Sequence, residues 1–355
     1  MKLLSDDDLK LMDTHLRRRL DELLISACPQ AAELSRMNRQ IAEYTLAGGK
    51  RVRPQLTSWT FRHFSAAAPA ALPPCVLDAG CVWELFHAFL LIHDDIIDAS
   101  DTRRDMPSLH RSLAEVSGVP RGAGEHLAIV AGDLLFSVAL RLLHNVDCDP
   151  AAYKQLLQIF SRVACETGFG QAVDICVSHV PMSQVCEESL LREYHWKTAA
   201  YTFEGPMLFG AALAGASAKT QATISNYALA LGQAYQMQND LIDLARPIAT
   251  GSDLVQGKRT ITLIRARNEL EPGTRAAFDE TLSQIARGGE RALGLAEELR
   301  QSLLSGKAVL RTRQAVADLL ATAAEASECQ SIPPQAAQAL KQLLEALRRS
   351  YFAGI

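Results

Sequence analysis

Apolar residues recur along most of the chain at every third or fourth position, the spacing of one helix face, while valine and threonine are too dispersed to suggest sheet. The pattern predicts an all-α protein with helices over residues 5–25, 31–46, 54–66, 77–99, 124–143, 150–175, 181–213, 222–244, 261–268, 272–287, 290–306, 307–324 and 334–351. Gly, Pro or Asn punctuates the breaks, as at Gly48-Gly49, Pro120 and Pro333-Pro334. No linker is long or polar enough to separate a second domain, so residues 1–355 are expected to form one helical domain. From Leu77 to Leu244 the helices are apolar on all sides, as in the interior of a bundle. Charged positions there need a chemical reason.

The first such group lies in LLIHDDIIDA, residues 90–99. Continued as a helix, Asp94, Asp98 and Asp101 share one face at i, i+4 and i+7, with Asp95 rotated away. Stacked carboxylates repel unless cations lie between them, and clustered oxygen ligands suit hard Mg²⁺ rather than zinc. A second oxygen-bearing face, Gln236, Asn239 and Asp243, recurs in GQAYQMQNDLIDL, residues 232–244. Several Mg²⁺ ions held by two such faces would call for a polyanion.

Basic residues answer these acids at GGKRVRP (48–54), at Arg103 and Arg104, at Lys197 with Thr198, and at Lys258 in GSDLVQGKRT (251–260). Arginine forks, lysine charges and glycine-exposed amides all suit phosphate oxygens. The arrangement predicts one diphosphate bridged by Mg²⁺ and another held directly. No GxxxxGK[ST] loop occurs, which removes support for nucleotide hydrolysis.

Composition narrows the partners further. The formal charge of −4 offers no basic face for a nucleic acid. The N-terminal segment has no signal-peptide core, no run approaches the roughly 18 apolar residues of a membrane span, and the cytoplasm is the expected location. Eight cysteines, Cys28, Cys75, Cys81, Cys148, Cys165, Cys176, Cys186 and Cys329, lack metal-site or redox spacing and read as reduced core residues.

Taken in order, GGKRVRP, HDDIIDASDTRR (93–104), FGQAVD (169–174), HWKTA (195–199) and YQMQNDLID followed by GSDLVQGKRT resemble the trans-isoprenyl diphosphate synthase (polyprenyl synthetase) family. The resemblance covers about residues 48–262. It implies an all-α bundle around a central cavity, usually dimeric, and here expected to be a homodimer. It also implies condensation of isopentenyl diphosphate with an allylic diphosphate. By position, Lys50, Arg53, His87 and Arg104 would bind isopentenyl diphosphate, and Arg103, Lys197, Thr198, Gln236 and Lys258 the allylic diphosphate. Asp94, Asp98, Asn239 and Asp243 would ligate Mg²⁺, and Asp94, Asp98, Arg103, Lys197 and Lys258 would act directly in ionisation. In the family the released diphosphate takes the proton lost in elongation.

Two departures stand out. Asn239 replaces the first aspartate usual in the second motif, and the stretch 244–251 lacks a lysine often found there, leaving Arg246. In the family, bulk at the fourth and fifth positions before the first aspartate of that motif, Asp94, limits product length. Those positions are Leu90 and Phe89, and Phe89 favours a C15 to C20 product. Asn239 keeps two alternatives open, a class I terpene cyclase and a catalytically weak partner subunit or prenyl-diphosphate-binding protein.

Overall fold

Helix-forming periodicity dominates the folded chain as it does the sequence. The computed structural model describes residues 2–26, 31–67, 69, 71–249, 251–289 and 291–353. Cys28 and Glu290, the expected start of one helix, lie outside the described residues. Fifteen α-helices are present among the described residues, and the only strands are β1 (Thr102–Arg103) and β2 (Met106–Pro107), an antiparallel pair. The all-α expectation is met.

The chain divides into two compact units. The first comprises Met1–Ile159 with Pro206–Ala216. It contains α1 (Asp6–Leu20), α2 (Ala32–Leu46), α3 (Val52–Phe64), α4 (Pro74–Ile97), α5 (Leu109–Ser117) and α6 (Arg121–His144). Helix α4 is its core: Val76, Val82, Trp83, Leu85 and Phe86 are buried, and α1, α3 and α6 pack against it. Proline opens α4 at a position where no amide hydrogen is needed, three residues earlier than the apolar pattern suggested.

The second unit comprises Phe160–Gly205 with Ser217–Ile355. Helix α7 (Pro150–His179) runs into it from the first. It also holds α8 (Glu187–Glu193), α10 (Ala218–Ala245), α11 (Ile261–Glu269), α12 (Pro272–Arg287), α13 (Ala292–Ser305), α14 (Lys307–Ser327) and α15 (Pro334–Ser350). Helix α10 packs against α14 and against residues Tyr194–Glu204.

Several expectations need correction. The single helix expected over 181–213 is instead a 3₁₀ turn, α8, a π-helical stretch Tyr194–Glu204 and α9 (Gly205–Leu213). The widened ladder, with Gly205 N–H reaching Ala200 O, passes into α9 at Pro206, whose missing N–H leaves one backbone carbonyl of the preceding turn without a helical donor. The cysteines are free among the described residues, but only Cys81 is buried, and Cys165, Cys176, Cys186 and Cys329 are exposed. Among the described residues two helices, α4 and α6, are long and apolar enough by length and composition alone to cross a membrane, a test that the core helix of a folded bundle also passes. The apolar window of α4 is 72% buried inside the protein and that of α6 only 44%.

Candidate active site

In the first unit, the loop after α2 and the β1–β2 hairpin are tied together. Arg104 and Asp105 form the two-residue turn, both with positive φ (55° and 63°), as a tight hairpin of native twist requires. The turn aims the Arg104 guanidinium at the glycine loop, where it donates to Ala47 O (2.8 Å) and Gly48 O (3.3 Å). The backbone φ of +97° at Gly49 favours glycine, and a Cβ there would press within 3.0 Å of that guanidinium. Lys50 is exposed on this loop and Arg53 is buried on α3. Arg51, between them, is an internal strut: it bonds Asp13 (2.9 Å), Glu84 (2.7 Å) and the carbonyls of Thr45 and Leu46.

His87 lines a small pocket with Tyr44, Glu84, Leu91, Arg103 and Arg104. Burial, reinforced by the surrounding arginines, pushes its pKa well below the ordinary histidine value, so the imidazole is neutral.

Helix α4 ends at Ile97 with Asp98 as its cap, and Asp98 N–H donates to Asp94 O at 2.8 Å. Asp101 therefore lies past the helix and does not extend the Asp94–Asp98 face. It is exposed and paired with Arg111 (2.9 Å) and Arg121 (2.7 Å). Asp95, dismissed by face counting, is completely buried. It accepts the Tyr44 hydroxyl at 2.8 Å and the Arg103 fork, with Arg103 Nε at 2.7 Å. Arg103 also stands 3.9 Å from Asp94. Its guanidinium is thus engaged by the aspartate pair rather than projecting alone.

Upstream on α4, Leu90 and Phe89 are half-buried. The Phe89 ring lies 4.8 Å from His93, 5.2 Å from Phe136 of α6 and 5.7 Å from Phe86. The bulk expected at Phe89 is therefore part of an aromatic group, and Phe136 was not foreseen.

In the second unit, Lys197 forms an ion pair with Asp174 of α7, the last residue of FGQAVD. A Cβ at Gly170 would come within 2.4 Å of the Lys197 backbone nitrogen, so glycine lets α7 approach the HWKTA segment. Thr198 donates to Gln236 Oε1 (2.9 Å), and Gln236 in turn donates to Asp240 Oδ1 (2.8 Å). Asp240, unremarked in the sequence reading, is buried and also accepts the Tyr194 hydroxyl. Burial raises its carboxyl pKa to about 7, against the opposing effect of the Tyr194 bond.

Tyr194 accepts the amide of Ile261 at 3.2 Å, linking α10 to the end of the Lys258 loop. Thr260 caps α11 behind that loop. Asp243 accepts Asp253 N–H (3.0 Å), and Asp253 pairs with Lys258 (3.3 Å). Asn239 Oδ1 accepts the Tyr351 hydroxyl. Glu193 and Asp253 have raised carboxyl pKa values, chiefly through burial, and each also feels neighbouring aspartates. Asp174 and Asp253 pair with Lys197 and Lys258, Glu193 feels both lysines, Asp240 feels Lys258, and Asp243 acts on Asp253.

Glu166, His195 and Glu204 also bring ligand atoms within 4.8 Å of one another. Arg162 bonds both carboxylates and Ser225 donates to Glu204, so both glutamates already have protein partners.

Residues 35–294 match the polyprenyl synthetase family. The chain is 32% identical over 265 residues to a geranylgeranyl diphosphate synthase of Methanosarcina mazei, covering 73% of this chain and 75% of that protein. It is 28% identical to the farnesyl diphosphate synthase of Escherichia coli, covering 70% and 81%. Its fold matches a geranylgeranyl pyrophosphate synthase from Corynebacterium glutamicum solved with isoprenyl diphosphate and magnesium, at a TM-score of 0.82, 24% identity and coverage of 98% and 99%.

Proposed function

Because the chain belongs to the polyprenyl synthetase family, we propose that it condenses isopentenyl diphosphate with an allylic diphosphate to give a short trans-prenyl diphosphate of C15 to C20. The observation that carries this reading is the family match over residues 35–294, which contains all the assigned residues from Lys50 to Lys258. Residues 1–355 would act as one catalytic domain.

The oxygen donors Asp94, Asp98, Asn239 and Asp243 fit Mg²⁺, and the excess of carboxyl groups over lysines in the second unit favours divalent cations there. When bound, Mg²⁺ supplies positive charge against the diphosphate that leaves the allylic carbon. Lys197 and Lys258 are placed beside acidic groups that hold their ammonium heads in position, and Thr198 and Gln236 form a bonded pair next to them. These residues and Arg103 would bind the allylic diphosphate. Lys50, Arg53 and Arg104, with His87 as a neutral hydrogen-bonding group, would bind isopentenyl diphosphate. The apolar residues of α4 would keep water from the allylic cation. Phe89 backed by Phe136 supports a short product.

We infer a homodimer from α6. Ile129, Val130 and Leu140 are 43%, 51% and 43% exposed on its outer side, which also carries Asp133 and Ser137, and a second copy would cover these apolar side chains. A cytoplasmic enzyme accords with free cysteines at all the described positions.

The test is direct. Purified protein with Mg²⁺ and labelled isopentenyl diphosphate is offered C5, C10 and C15 allylic diphosphates in turn. Labelled C15 to C20 diphosphates support the reading; hydrocarbon from one allylic substrate, or binding without turnover, contradicts it.

A further inference from the structure

Asn239 stands where the family usually carries aspartate, and its carbonyl oxygen is engaged by Tyr351, the residue at which α15 ends. The tyrosine is fixed from other sides as well. Its ring stacks on Tyr235 with centroids 4.7 Å apart and planes 19° from parallel, and Phe352 packs edge-on at 5.2 Å. Its carbonyl accepts the Gln238 side-chain amide at 3.2 Å. Tyr235, Gln238 and Asn239 all belong to α10, so the end of α15 is docked along the helix that carries Asp243.

An amide and a carboxylate present themselves differently to a hard cation. Both oxygens of a carboxylate are ligands, whichever way the group is turned. An amide offers one oxygen and one NH₂, and only the oxygen can coordinate. A donor on Oδ1 selects the orientation and still leaves the second lone pair of that oxygen. Outer partners of this kind orient ligands at metal sites generally.

We propose that Tyr351 is a positioning residue for Asn239, its hydroxyl fixing the amide with the oxygen available to a divalent cation. The bond fixes which amide atom faces the cation but restores none of the charge lost with the aspartate. This rests on the reading of Asn239 as a metal ligand.

The consequence is conditional. Tyr351 matters when residue 239 is asparagine and much less when it is aspartate. The full chain is used, and its apparent affinity for inorganic diphosphate is measured by calorimetry at a series of Mg²⁺ concentrations, without turnover and well below the melting temperature. Tyr351→Phe keeps the ring stack and removes only the hydroxyl. It should raise the Mg²⁺ midpoint on the order of tenfold. Asn239→Ala should raise it at least as much, Tyr351→Phe should add nothing to Asn239→Ala, and its effect should shrink in Asn239→Asp.

A wild-type midpoint for Tyr351→Phe, with Asn239→Ala shifted, leaves Asn239 a ligand and overturns the role of Tyr351. An equal Tyr351→Phe shift in the Asn239→Ala background overturns it too, because the hydroxyl then acts elsewhere. A wild-type midpoint for Asn239→Ala overturns the ligand reading and the proposal together.

Discussion

Tyr44 donates its hydroxyl to the buried carboxylate of Asp95 at 2.8 Å, and Arg103 closes the other side of that carboxylate. Tyr194 and Asp240 repeat the arrangement in the second unit, where Gln236 is the additional donor. In both acidic motifs the aspartate at the second position, Asp95 or Asp240, therefore faces inward onto a tyrosine. The aspartates assigned to metal, Asp94, Asp98 and Asp243, are left partly exposed.

Removing the Tyr44 hydroxyl tests the first of these pairs. Tyr44→Phe deletes a hydrogen bond to a buried charged group and should cost about 2 kcal/mol of stability. Denaturant titration measures that loss. Because Arg103 depends on the same carboxylate, the variant should also raise KM for the allylic diphosphate.

Asp240 gives the metal-free protein a signature in pH. Its carboxyl titrates at 3.8 when unperturbed and at about 7 in the fold. Between those values the folded protein keeps a proton that the unfolded chain has released, so stability falls as pH rises through this window. The favourable contribution is complete below the unfolded pKa and is lost by the time pH passes the folded one. Asp240→Asn should flatten the dependence of melting temperature on pH between about 4 and 7. An unchanged slope would mean that Asp240 is not the group responsible.

Product length should respond to the aromatic group below Asp94. Phe89→Ala should lengthen the product, and Phe136→Ala, across a ring contact of 5.2 Å, should do so as well. Chromatography of the dephosphorylated products reads the chain length. Products no longer than those of the unmodified protein from both variants would remove these rings from the control of length.

Asn239→Asp restores a negative charge beside Asp243 and should lower the Mg²⁺ concentration needed for half-maximal rate or raise turnover. Initial rates across a Mg²⁺ series decide it, and an unchanged curve would count against a metal role at this position.

Helical period alone predicted most elements, and the motifs identified the basic and acidic positions. The hairpin at Thr102–Pro107 left no such trace, because two-residue strands have no period to read. Face counting misplaced Asp101, because α4 stops at Ile97; it set Asp95 apart from Asp94 and Asp98 but held no sign that neighbouring chain buries Asp95. The tyrosines that hold Asp95, Asp240 and Asn239 lie 51, 46 and 112 positions from their partners. Pairings at such separations depend on how the helices pack, which spacing within a helix does not encode.

Asp94 would hold a divalent cation against the leaving diphosphate, and the elongation rate of Asp94→Ala beside the unmodified protein decides that role. It should fall on the order of a thousandfold with an unchanged melting curve. Near-normal elongation by Asp94→Ala would contradict it.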